Sequence, residues 1–410
     1  MSSQSISFSD PNVQRCPFPQ YETIRAQGPV YCDPGNGWYI VTSYELVREI
    51  LNDPQTYSSV TGQLLVQESP HQATIDAVFA EEGYLPINVL VVSDPPEHNF
   101  YRSLVDKTFT PSRVRQMEDY LSGVVDEMID AVIDNGQVEF YGQIANMIPM
   151  AVIADQIGVP RDDIEKFKLW SRAVLDQAGL ANSLERQLEI TRAIAELQRY
   201  IAARAEEYLV TPRECMLNDL VHADINGRKV TMRELVAIVL QLLVAGNDTT
   251  TSVMSSCIYR IVREPGLEDR LRANPAEIPT FVEEVLRMEA PVQGLWRRVT
   301  RDIELAGVKI PAGSLLLPKF GAANRDPTKF ACPGQFDMDR KGVRNHLTFG
   351  AGIHHCIGNQ LARGELRVAI NKLLTRLKNF RLTYGEDGVE FIAHIFNYGP
   401  HKLHISFDRN

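Results

Sequence analysis

Phe349-Gly350-Ala351-Gly352-Ile353-His354-His355-Cys356-Ile357-Gly358 is the stretch from which the rest of the chain is read. It sets one cysteine on a glycine-bracketed loop directly ahead of a helix-forming run, Gln360-Leu361-Ala362-Arg363-Gly364-Glu365-Leu366. A helix N-terminus stabilises a thiolate through its dipole and its free backbone N–H groups. Gly350 and Gly352 lack the Cβ atoms that would hold the backbone away from a flat ligand. His354, two residues before the cysteine, is spaced to donate a hydrogen bond to an anionic group beside such a ligand. A lone cysteine is more often a small, inert hydrophobe; the paired glycines and the following helix weigh against that here.

Composition bounds the remaining possibilities. The 410 residues are 44% hydrophobic and 23% charged, ordinary values for a globular protein. A net charge of −10 and an isoelectric point near 5.5 argue against a nucleic-acid binder, which carries a basic field. The six cysteines, at 16, 32, 215, 257, 332 and 356, form no CxxC pair and no zinc-like spacing, and they fit a reducing cytoplasm better than a disulfide framework. Met1-Ser2-Ser3-Gln4-Ser5 has no basic region followed by an apolar run, so no signal peptide is expected. Leu235 to Ala245 is the longest apolar stretch, broken by Gln241 and short of a membrane span. A protein independent of the membrane is therefore expected.

Helical signals dominate the order of elements. Trp38 to Thr42 reads as a short strand bounded by Gly35 and Gly37. Asp94-Pro95-Pro96-Glu97 reads as an N-cap followed by first-turn prolines, and Thr110-Pro111 as another helix start. Thr231-Met232-Arg233-Glu234 and Thr280-Phe281-Val282-Glu283 read as capping boxes, the first opening a run that continues past Cys257. Late strands are expected at Asp302–Leu305, Leu315–Pro318 and His404–Phe407. The expected fold class is mainly α with small β-sheets, in a single domain over residues 1–410 with 1–15 flexible.

Three further segments carry chemistry. The long run contains Ala245-Gly246-Asn247-Asp248-Thr249-Thr250. Glycine costs about 1 kcal/mol inside a helix, and threonine can bond back to the preceding turn and bend it. A locally opened helix with a groove for a small ligand is expected there. Glu284 and Arg287 stand three apart on a helix, where opposite charges face each other. His98 and Arg102, four apart, project from one helix face.

Together these segments resemble the cytochrome P450 family, position for position from Phe349 to Glu365 and in the family's order from Asp94 onward. The resemblance implies the family's single-domain fold, with haem between a long central helix and the cysteine loop. It implies a haem b cofactor whose iron is held by Cys356, bordered by Phe349, Gly350, Gly352, Gly358 and Ala245. His354, His98, Arg102 and Arg297 would meet the haem propionates, with His346 as a further contact. Asp248 and Thr249 would be the acid–alcohol pair that delivers protons to dioxygen, the co-substrate. Glu284 and Arg287 match the Glu-x-x-Arg signature, a structural pair completed by Phe330 to Asp337 and Arg340, and Ala323-Asn324-Arg325-Asp326-Pro327 follows the same pattern.

The implied activity is insertion of one oxygen atom into a small or medium apolar molecule such as a terpenoid, aromatic or alkyl compound. Electrons would come from a separate ferredoxin or flavodoxin with an NAD(P)H-dependent reductase, because no flavin or nicotinamide domain and no iron–sulfur cysteine cluster accompanies these motifs. Lys107, Arg115, Arg363 and Arg367 are candidates for the docking face of that partner. Steps of four back from Thr249 reach Ala245 and Gln241, so Gln241 should share their face, to orient a substrate oxygen or hold a water. Val244, Val292, Gln293, Leu295, Ile395 and Phe396, with the stretch from Val60 to Leu90, would line the pocket. A cytoplasmic monomer that binds neither nucleic acid nor membrane is expected. The rivals are a hydrogen-peroxide-using peroxygenase, whose members lack the acid–alcohol pair, and a non-catalytic haem sensor or carrier, which needs neither that pair nor a pocket.

Overall fold

Thr231 and Glu234 cap each other: the Glu234 backbone N–H donates to Thr231 Oγ1 (3.3 Å), and that of Thr231 donates to Glu234 Oε2 (2.9 Å). From this box an α-helix runs without interruption over Met232–Arg263. The local opening expected at Gly246 therefore does not occur. One physical reason lies in the hydroxyls that follow it. Thr250 bonds Glu365 and Thr251 donates to the Ala145 carbonyl (3.4 Å), so neither competes for the helix's own ladder. Counted over its whole length, this helix is long and apolar enough to cross a bilayer, but more than half of its most apolar window is buried inside the protein.

The structure is a computed structural model and describes residues 6–61, 70–177 and 183–410. The chain packs as two compact units, one of Met1–Ser59, Pro111–Pro149 and Asp248–Asn410, the other of Val60–Thr110 and Met150–Asn247. Most of the described residues are helical, with short sheets between.

In the first unit a five-stranded sheet runs in the order Val30–Cys32, Tyr39–Val41, Leu315–Pro318, Arg297–Val299, Tyr57–Ser58. Its one parallel pairing sets Leu316 opposite Tyr39 and Leu317 opposite Ile40. The helix Tyr44–Asn52 buries Tyr44, Val47, Ile50 and Leu51, a stripe at helical spacing, against Val299, Leu316 and Phe320. Within the segment expected to be flexible, Phe8 is buried and Pro11–Arg15 is helical. A second sheet orders Leu377–Leu382, His404–Arg409 and Gln137–Glu139.

The second unit is built on the helix Leu184–Val210, capped by Ser183 Oγ accepting from the Arg186 N–H (3.3 Å), with Gln72–Glu82 and Ile164–Asp176 packed on it. The helix at Asp94 starts later than its cap signal indicates. It spans Glu97–Val105, and Asp94 contributes its backbone carbonyl to the His98 N–H (2.9 Å) rather than a side-chain cap. Similarly, the box at Thr280 is not a cap. The helix there spans Ile278–Met288 and begins ahead of it.

On that last helix Glu284 and Arg287 have fully buried side chains and form a bidentate pair, Nε–Oε2 2.7 Å and Nη2–Oε1 2.8 Å. Arg287 also donates to the carbonyls of Asn324, Pro333 and Gln335, while Glu284 Oε1 accepts from the Asp337 N–H and from Arg340 Nε. One ion pair thus organises a loop some fifty residues away in sequence. Removing one partner of a buried pair costs about 3–5 kcal/mol, because the other is left charged and unpaired. Arg287→Ala should lower the urea midpoint followed by circular dichroism accordingly. Arg287→Lys should not restore it, since an ammonium cannot reproduce the fork.

Candidate active site

The cysteine loop is shaped by two left-handed glycines, Gly350 at φ +68° and Gly352 at φ +65°. Gly352 also lies against the helix Tyr44–Asn52, where a Cβ would stand 2.2 Å from the Leu51 carbonyl oxygen. No other residue type fits that position. The Cys356 N–H donates to the Phe349 carbonyl (2.8 Å) and closes the loop on itself. Asn359 Nδ2 donates to the Cys356 carbonyl (2.8 Å) at the start of the helix Asn359–Arg376, whose N-cap is Gly358. The thiol is thus half-buried one short turn ahead of a helix N-terminus. The ring of His354, whose Nε2 is 2.9 Å from Ser59 Oγ, stands beside it in sequence.

Glu283, next to the buried Glu284, binds both flanks of this loop. Its Oε2 is 3.0 Å from His346 Nε2, and Arg363 reaches it through Nε (2.5 Å) and Nη2 (3.1 Å). The two partners pull the Glu283 carboxyl down to about 2 against the opposing effect of burial. The Arg363 guanidinium also lies over the Phe349 ring, 4.3 Å from its centre. One expectation is corrected by these contacts: His346 is a buried partner of Glu283 rather than a propionate contact. Arg363, expected as a docking charge, is partly exposed and also braces the loop through Glu283. Arg367 is likewise paired, with Glu118, while Lys107 and Arg115 are exposed. Sequence reasoning missed Glu283 because its residues read as a helix cap.

The helix after the cysteine carries Glu365, buried at 3% exposure, which accepts a hydrogen bond from Thr250 of the long helix. Burial pushes its carboxyl up to about 8. Asp248 and Thr249 are half-buried, and just before them Ala245 and Gly246 are exposed on a helix whose neighbouring residues are largely buried. A Cβ at Gly246 would meet no atom within 4 Å, so the helix flanks open space there. Burial raises the Asp248 carboxyl, and a hydrogen bond from the Tyr141 phenol lowers it.

Arg297 is buried and donates to the Trp296 carbonyl (2.8 Å). In the second unit His98 is buried, which lowers its basicity, and Arg102 pairs with Asp106 (2.7 Å). Gln241 in that unit is half-buried, and its Oε1 accepts from the Val91 N–H (3.0 Å), so the backbone uses the oxygen expected to meet substrate or water. Val244 is half-buried beside it. Gln293 departs further from its expected role. It is buried at 2% exposure, accepts from the Tyr21 hydroxyl (2.9 Å) and donates to the Ala290 carbonyl (2.7 Å), which makes it a structural amide rather than a lining one. Its backbone N–H donates to the Phe396 carbonyl, tying Val292–Leu295 to the Ile395–Phe396 segment. Of the stretch from Val60 to Leu90, residues 62–69 lie outside the described residues.

The family model for cytochrome P450 matches residues 178–395. Cytochrome P450 144 of Mycobacterium tuberculosis is 33% identical over 361 residues, 88% of this chain and 82% of its own. The chain belongs to the cytochrome P450 family. Its backbone is similar to the structure of cytochrome P450 CYP109Q5 from Chondromyces apiculatus, with a TM-score of 0.87, 29% identity and coverage of 99% and 98% of the two chains. It is similar also to CYP109E1 from Bacillus megaterium in complex with corticosterone (TM-score 0.84, 31% identity, 96% and 99% covered). As a P450 the protein is an oxidoreductase, a monooxygenase that uses haem and dioxygen and draws electrons from redox partners.

The residues present fit a haem. Among the described residues no group of three His, Cys, Asp or Glu could hold a bare metal ion. A single sulfur donor suits a metal whose other ligands come from a macrocycle. A Cβ at Gly358 would meet nothing within 4 Å, so open space lies beside the loop just after the cysteine.

Glu365 gives a testable pH dependence. Its folded-state value lies above the ordinary carboxyl value of 4.5. The folded protein therefore binds the extra proton between these limits, and stability falls as pH rises from about 4.5 towards 8. Glu365→Gln keeps an acceptor for Thr250 and has no proton to lose. It should flatten that decline by an amount on the order of 3 kcal/mol, read from urea midpoints at pH 5 and pH 8. A variant that declines as steeply as the wild type would mean Glu365 is not the group responsible.

Proposed function

We propose that this P450 binds haem b through Cys356 and inserts one oxygen atom of O2 into a small-to-medium apolar substrate. A separate ferredoxin, or a flavodoxin, with its NAD(P)H-dependent reductase supplies the electrons. The protein works as a cytoplasmic monomer. The observation that carries this reading is the acid–alcohol pair Asp248–Thr249, set one turn beyond the open flank at Ala245–Gly246 on an otherwise intact helix. A peroxygenase needs no such pair, and neither does a gas carrier.

Haem supplies the redox and oxygen-transfer chemistry when bound. The protein's groups do the rest. Cys356, a turn ahead of a helix N-terminus, offers a thiolate as the proximal ligand. Arg297 and His354 would hydrogen-bond the propionates. Asp248, whose carboxyl is pushed up by burial and so takes a proton more readily than an exposed aspartate, passes it towards the Thr249 hydroxyl. Val292, Leu295, Ile395 and Phe396 give an apolar lining, and Phe396 is fixed edge-on to Trp296 (5.9 Å). The corticosterone bound by CYP109E1 supports a terpenoid-like or polycyclic substrate. An apolar wall of this kind discriminates only modestly between near-isosteres.

Optical titration of the purified protein with terpenoids, aromatics, fatty acids and steroids tests the substrate class. A low-to-high-spin shift with one class, and product that depends on ferredoxin and reductase, is expected. Faster product formation with hydrogen peroxide alone would make it a peroxygenase, and a shift without product would make it a sensor. Thr249→Ala should leave the titration unchanged while diverting most electrons to hydrogen peroxide. Full coupling in that variant would remove Thr249 from the mechanism.

A further inference from the structure

The acid of the pair is held in an unusual way. Among the described residues no cation pairs with Asp248, and the group that acts on its carboxylate is the Tyr141 phenol, whose hydroxyl donates to Asp248 Oδ1 across a long 3.5 Å. Both residues belong to the first unit.

Tyr141 itself sits on a rigid mount. The strand Gln137–Glu139 pairs with His404–Arg409, and at its end the chain turns into one π-helical turn, Tyr141–Ala145. Glu139 secures that turn: its Oε1 accepts from the N–H groups of Tyr141 (3.2 Å) and Leu403 (3.0 Å), and its Oε2 from that of Gly142 (2.7 Å). The Phe140 N–H donates in turn to the Leu403 carbonyl (2.8 Å). The phenol therefore reaches Asp248 from a strand end, not from a loose loop.

We propose that Tyr141 is the positioning residue for the proton-delivery acid, holding the Asp248 carboxyl in orientation and setting how readily it gives up its proton. The inference rests on Asp248 being that acid. A phenol suits the task in a way a lysine or arginine does not. It stabilises the carboxylate only in part, so burial still raises the carboxyl and leaves it readier to take a proton than a cation partner would. Burial and the neighbouring charges of Asp248 and Glu139 keep the phenol itself protonated, so it remains a donor throughout. Among the described residues, the titratable groups that act on this pair are Tyr141, Asp248 and Glu139.

The test compares Tyr141→Phe, Asp248→Asn and the double variant in the reconstituted ferredoxin and reductase system. The substrate is the panel compound giving the largest spin shift, and product, peroxide and the pH profile are recorded. Tyr141→Phe removes a donor that favours the charged carboxylate. The limb of the profile due to Asp248 should therefore move to higher pH, and coupled product formation should fall about two- to tenfold, the range of one hydrogen bond. Asp248→Asn should lose that limb, and the double variant should behave as Asp248→Asn alone. An unchanged pH profile and coupling in Tyr141→Phe, with Asp248→Asn impaired, would overturn the role of Tyr141 alone. A Tyr141→Phe loss that persists undiminished in the Asp248→Asn background would do the same. If Asp248→Asn itself leaves product and profile unchanged, Asp248 is not the acid and both assignments fall. Matching substrate spin shifts and melting temperatures in all variants exclude a folding defect as the cause.

Discussion

Two adjacent buried carboxylates, Glu283 and Glu284, place most of what matters in the first unit. They sit on one helix and diverge. Glu284 takes Arg287, Arg340 and the Asp337 N–H, and Glu283 takes His346 and Arg363. Burying two acids side by side is costly unless each is fully paired and hydrogen-bonded. That requirement fixes the loop around Cys332–Arg340 on one side and both flanks of the cysteine loop on the other. The position of Cys356 thus follows from electrostatic necessity on a helix more than seventy residues away, and Gly352 then fits the loop against Leu51 with no room for a Cβ.

Above this support lies a long helix that stays regular where glycine and threonine invited a break. The Thr250 and Thr251 hydroxyls are spent on Glu365 and Ala145, and the open flank at Ala245–Gly246 arises from missing side chains rather than from a broken ladder. An intact helix is the better mount, because it fixes Asp248 and Thr249 relative to that flank. The acid meets a phenol where a cation would have held it permanently ionised. Glu365 is buried and Asp248 and Tyr141 are half-buried, and burial raises all three towards their protonated forms.

What could be read from the sequence follows the range of each interaction. The cysteine loop, the Glu-x-x-Arg pair and the Thr231–Glu234 box carry local signatures that spacing alone announces, although distant residues complete the first two. Errors arose where a side chain's partner is distant. Glu283 read as a cap because nothing near it in sequence reveals His346 and Arg363. Gln293 read as a pocket residue because Tyr21, its partner, lies 272 positions earlier. The Asp94 signal failed differently, since two prolines delayed the helix to Glu97 and left the aspartate side chain outside it. Tyr141 carried no signal at all, for a single tyrosine after a strand has no pattern to distinguish it.

The ferrous carbon monoxide spectrum, recorded on the purified wild type and on Cys356→Ala, tests the assignment of the proximal ligand most directly. Carbon monoxide binds opposite that ligand, so the Soret band reports whether sulfur or nitrogen stands behind the iron. A thiolate-type band in the wild type that disappears in Cys356→Ala is the predicted result. A nitrogen-type band in the freshly reduced wild type, or a thiolate-type band that survives the substitution, would contradict it.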